Sequence, residues 1–111
     1  MSSRVVTLTA DNFDAAALAA EGTAVVDFWA SWCPPCRALA PAIEALAEER
    51  PEVVVGKVDV DDHPAIAERY AVHNIPTVLV FRNGQLAGRS VGLVSIARLR
   101  ELLGAPAEAL A

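Results

Sequence analysis

A chain of 111 residues with 54% apolar and 21% charged side chains is sized for one domain, residues 1–111, around a buried core. Its net charge of −5 excludes the basic footprint that nucleic acid or an anionic membrane surface requires. No run approaches the ~18 apolar residues of a membrane span, and the N-terminus lacks the apolar core of a secretory signal, so a cytoplasmic protein is expected.

Arg4 to Leu8 reads as a short strand, after which Thr9 or Asp11 caps a helix through Phe13, Ala17 and Leu18 that ends near Gly22. Ala24 to Ala30 is apolar and β-branched without alternation, the pattern of a strand buried on both faces. The longest helix runs from Pro34 to about Arg50. Pro41 removes one of its backbone hydrogen bonds and predicts a kink, and Pro51 stops it. Val53 to Val60 is a second buried strand, and Asp61-Asp62-His63-Pro64 opens a short helix from Ala65 to Tyr70. Val78–Phe81 and Gln85–Val91 flank Asn83-Gly84 and form an antiparallel hairpin. Ser95 caps a last helix carrying Ile96, Leu99, Leu102 and Leu103. Gly104 and Pro106 end it, and 105–111 is a frayed tail. The order β-α-β-α-β-α-β-β-α predicts an α/β fold: a central mixed sheet of about five strands flanked by about four helices.

The only two cysteines, Cys33 and Cys36, stand in Trp32-Cys33-Pro34-Pro35-Cys36, where the central strand hands over to the longest helix. A helix N-terminus offers free N–H groups and a positive dipole end that stabilise a thiolate, the nucleophilic form of cysteine. Cys33 is therefore the attacking sulfur, and Cys36, one turn in and more shielded, the resolving one. The loop between them is short enough to close into a disulfide with little backbone movement. The competing reading is half of a zinc site, but His63 and His73 do not supply the close second pair such a site needs, so no metal is expected. A non-catalytic binding module is the alternative from another class.

Asp27 is a carboxylate inside a buried strand, where an ionised group is costly unless paired or raised in pKa. It is a candidate proton acceptor for Cys36 when that thiol attacks, and a donor when the disulfide is reduced. Lys57 is the only lysine beside eight arginines. Its strand neighbours the central one, so its ammonium would lower the Asp27 pKa and moderate the effect of burial.

Val26-Asp27-Phe28-Trp29-Ala30-Ser31-Trp32-Cys33-Pro34-Pro35-Cys36-Arg37 resembles the active-site segment of the thioredoxin family. The resemblance extends through Pro41, Ile75-Pro76-Thr77 and Val91-Gly92, over nearly the whole chain. It implies a thioredoxin fold and a monomeric protein-disulfide reductase of cellular electron transport and redox homeostasis. Such a protein holds no cofactor of its own and is reset by an NADPH-dependent thioredoxin reductase. It supports the roles of Asp27 and Lys57 and implies a cis peptide at Pro76, against the base rate for X-Pro bonds. Trp32, Ile75, Pro76, Val91 and Gly92, with Pro34 and Pro35, would then line a shallow groove. There an extended substrate segment adds to the free backbone. Trp29 is assigned to core packing, and His73 to a loop without function. The chain departs from the family in having Pro-Pro where Gly-Pro is usual between the cysteines. Cys-Pro-Pro-Cys also occurs in tryparedoxin-like and membrane-tethered thiol reductases, which usually carry a central insertion or an anchor; neither is expected here.

Overall fold

A computed structural model describes residues 3–19 and 21–104; the tail expected to fray and its Pro106 lie outside the described residues. Five strands form one sheet in the order β1-β3-β2-β4-β5: β1 Val6–Leu8, β2 Thr23–Trp29, β3 Val54–Asp59, β4 Thr77–Arg82 and β5 Gln85–Val91. β3 runs parallel to both β1 and β2, whereas β4 is antiparallel to β2 and to β5. The sheet is mixed and β2 is its middle strand.

The unbroken apolar run of β2 is explained by cover on both sides. Ala24, Val26 and Phe28 pack with Leu8, Phe13, Ala17, Ile66, Leu79 and Phe81 on one face. Val25 points the other way, among Leu39, Ile43, Leu46, Val55, Val78, Leu99 and Leu103. Alternation along a strand puts Asp27 and Trp29 on the face of Val25. That face lies under helices α1 (Pro34–Glu49) and α3 (Ile96–Leu103), while α2 (Pro64–Arg69) belongs to the opposite layer. Val26 and Phe28 have no exposed surface, and each such burial stabilises the fold by roughly 1.5–3 kcal/mol.

The local signals act as expected at most element ends. The Ser95 hydroxyl accepts the Arg98 N–H at the start of α3, and Gly104 ends it with φ 78°. Asn83 and Gly84 turn the hairpin with φ 51° and 81°, and the Asn83 Oδ1 also accepts the Gly22 N–H at 2.9 Å. α1 stops one residue before Arg50 and runs through the exposed Pro41 as one helix.

The first predicted helix is much shorter than expected. Thr9 and Asn12 form a reciprocal cap, with each side chain accepting the other's N–H, but only one π-type turn follows, Asp14–Leu18. Ala19 closes that turn by donating to the Asp14 carbonyl instead of extending it to Gly22. One turn is enough to bury Phe13 and Ala17 in the core and to pack Ala16 and Leu18 against it before the chain enters β2.

Candidate active site

Cys33 occupies the N-cap of α1 in extended conformation, and Pro34 begins the helix. Two prolines in the first turn suit a helix start, because their missing N–H groups have no intrahelical partner there. They also leave Cys33 few donors: its Sγ accepts the Cys36 N–H at 3.3 Å and lies 3.9 Å from the Ile75 carbonyl oxygen. The two cysteines are joined as a disulfide, with Cα atoms 5.3 Å apart. In this oxidised state they are equally buried, at 3% and 2% exposure, so Cys36 is not the more shielded of the two. Position separates them instead, because Cys33 sits at the helix mouth and Cys36 inside its first turn.

Asp27 stands opposite Lys57 in the β2–β3 register. It is 4% exposed, and its Oδ1 has no hydrogen-bond partner among the described residues. Burial raises its pKa to about 7, with Lys57 pulling in the opposite direction. A carboxyl poised there exchanges protons near neutrality. Lys57 makes no salt bridge to it; its Nζ sits 5.3 Å from the centroid of the Trp29 ring. Asp27, Lys57, Trp29 and Cys36 line one cavity of about 90 Å³, together with Arg37 and Ala40. The carboxyl and the inner cysteine thus share a space with room for water.

The peptide between Ile75 and Pro76 is cis. Ile75 packs with Trp29 and Val60 against the cluster of Ala30, Cys33 and Cys36. The Gly92 N–H donates to the Pro76 carbonyl at 2.8 Å, and Val91 pairs in register with Thr77, so the end of β5 lies beside this turn. Trp32 and Val91 are exposed at 63% and 55%, and Pro34 and Pro35 are also open to solvent, whereas Pro76 is buried. Exposed apolar surface is thus gathered around the disulfide.

Two residues at this site carry no signal in the sequence. Asp61 receives the Trp32 indole N–H on Oδ2 at 2.8 Å, held in place by a turn in which the Asp59 carboxylate accepts the Asp61 N–H. Arg37 donates from Nη1 to the Ser31 carbonyl at 2.8 Å, across the cysteine loop. The first link joins segments whose proximity only the folded chain creates, and the second closes over the cysteine loop within six residues. Trp29, read as core packing, also forms a wall of the Asp27 cavity.

A dithiol that closes reversibly at a helix N-terminus exchanges with other disulfides, and the chain is a thiol–disulfide oxidoreductase of α/β architecture. The family model described as Thioredoxin matches residues 4–105, and the chain belongs to the thioredoxin family. A thioredoxin of Chlamydia caviae is 45% identical over 89 residues, covering 80% of this chain and 85% of its own. One from Buchnera aphidicola of Acyrthosiphon pisum is 39% identical over 101 residues, covering 90% and 94%. A third, from Chlamydia trachomatis, is 50% identical over 74 residues, covering 67% and 72%. No helix among the described residues is long and apolar enough to cross a membrane.

Proposed function

We propose that Cys33 is the attacking sulfur of a protein-disulfide reductase, that Cys36 resolves the intermediate, and that Asp27 takes the Cys36 proton. The Cys33 thiolate attacks one sulfur of the substrate disulfide; a Cys33–substrate bond forms, the substrate S–S bond breaks, and the departing sulfur is protonated. Cys36 then gives its proton to the Asp27 carboxylate and attacks Cys33 Sγ. The intramolecular disulfide forms, the Cys33–substrate bond breaks, and the second substrate sulfur leaves as a thiolate that takes up a proton from water. The substrate gains two electrons and two protons, and the dithiol loses them. The observation that carries this reading is the cavity shared by Cys36 and Asp27 behind a Cys33 that caps the helix. Lys57 moderates the carboxyl from the neighbouring strand.

The substrate lies on Trp32, Pro34, Pro35, Ile75, Pro76, Val91 and Gly92, its extended backbone pairing with that of Ile75. Support comes from the Ile75 carbonyl beside Cys33 Sγ and from the exposed apolar rim. An NADPH-dependent thioredoxin reductase resets the pair, and residues 1–111 act as one monomeric domain in cytoplasmic electron transport and redox homeostasis. The test is trapping with a protein disulfide. Cys36→Ser accumulates a stable mixed disulfide and Cys33→Ser forms none, while both lose turnover in insulin reduction. Adducts from Cys33→Ser alone would reverse the assignment.

A further inference from the structure

The cavity between Asp27 and Cys36 has an unequal set of walls. Asp27 and Cys36 are buried, Trp29 and Lys57 are half-buried strand residues, and only Arg37 and Ala40 stand on the exposed side. Ala40 contributes one methyl group. Arg37 contributes a long side chain, and its guanidinium is fixed to the Ser31 carbonyl. Its backbone N–H meanwhile donates to the Cys33 carbonyl at 3.1 Å, so one residue is tied to the cysteine loop at two places. A long stem anchored at its polar end covers apolar space while the charge stays in water.

We propose that Arg37 is a positioning residue for the second half of the reaction: anchored on Ser31, its side chain roofs the cavity and limits how much water reaches Asp27. This rests on the proton-acceptor reading of Asp27 only for its kinetic consequence, since the roof itself is a matter of geometry. The titratable and charged groups around Asp27 are Lys57 from β3 and Cys36 and Arg37 from α1; its register partner on β4 is the apolar Val78. Lys57 lowers the carboxyl's pKa by charge, whereas Arg37, its guanidinium held on the Ser31 carbonyl, acts by covering the cavity. Water admitted to a buried carboxyl restores its solvation and moves its titration toward the ordinary range.

The experiment is to follow the Asp27 side-chain carboxyl by carbon NMR against pH in the wild type, Arg37→Ala and Arg37→Met. Arg37 is exposed, so neither substitution disturbs the core. Arg37→Ala opens the roof and lowers the titration midpoint by about one pH unit, the ordinary spread that environment imposes on a carboxyl. Arg37→Met keeps most of the stem but loses the anchor and moves the midpoint in the same direction by less. An unmoved midpoint in Arg37→Ala overturns the proposal, and so does an upward shift in both variants, which would make Arg37 a charge and not a roof. If the midpoint falls while the pH profile of resolution does not follow, the roof stands and the role given to Asp27 fails. Asp27→Asn is the control, because it abolishes that profile only if Asp27 is the acceptor.

Discussion

Replacing Asp27 by Asn removes an ionisable group from the interior, and its effect on stability has a sign and a pH window. In the unfolded chain the carboxyl titrates near 3.8; in the fold, burial raises this to about 7. Below the lower value both states hold the proton and ionisation costs nothing. Between the two, the folded state keeps a proton that the unfolded state has released, so stability falls as pH rises, until the cost is complete above the folded pKa. A shift of this size corresponds to about 4 kcal/mol at 1.36 kcal/mol per unit. The Asp27→Asn variant has no such window. Its amide carries its own penalty of roughly 1–3 kcal/mol where Oδ1 had no partner, but that offset does not depend on pH. The advantage of Asp27→Asn over wild type therefore grows between pH 4 and pH 8 by an amount that moves the urea midpoint by roughly 2 M. Urea melts of both oxidised proteins at pH 4, 6 and 8, with matched m-values, measure it, and all other titrating groups cancel in the difference. A gap between the midpoints that stays flat across this range would show that Asp27 is solvated and refute the reasoning.

Lys57→Met removes the cation that lowers the Asp27 pKa, so the pH midpoint of mixed-disulfide resolution moves to higher pH; an unchanged or acid-shifted profile counts against the pairing. Pro34→Gly adds an N–H near Cys33 Sγ, which among the described residues accepts only from Cys36, so the thiolate is better stabilised. The Cys33 pKa falls and the potential becomes more positive by about 20 mV, measured by glutathione equilibration; a more reducing variant would mean that ring rigidity outweighs donor count. Gly84→Ala places a methyl 2.5 Å from the Leu18 carbonyl oxygen at φ +81°, so the hairpin must shift. Stability drops by about 1–3 kcal/mol in urea with an unchanged redox potential, and an equal melt would show that the turn adapts freely.

The elements legible in the sequence are those whose physics is local. Asn83-Gly84 satisfies a turn that needs positive φ at two positions, and Ser95 and Gly104 bound α3 through contacts within a few residues. The cysteine pair declares its chemistry for the same reason, since spacing and a helix start lie within four residues. The first helix misleads because its alanine-rich propensity carries no sign that one turn, placing Phe13 and Ala17 in the core with Ala16 and Leu18 against it, is all the fold uses. Spacing also makes Cys36 the more shielded sulfur, but the closed disulfide buries both alike.

The sequence by itself determined a central strand, a dithiol at the helix that follows it, and a carboxyl too costly to bury without purpose. Each follows from residue type and near spacing. Tertiary structure decided what crosses the chain: that β2 pairs with both Lys57 on β3 and Val78 on β4, and that Ile75 packs against the cysteines from 42 positions beyond Cys33. It also decided that Asp61 holds Trp32 and that Arg37 comes to line the cavity of Asp27 and Lys57. A polar partner's identity depends on which loops the sheet brings together, and strand order follows from packing both faces of β2, a global condition that no short stretch of sequence encodes.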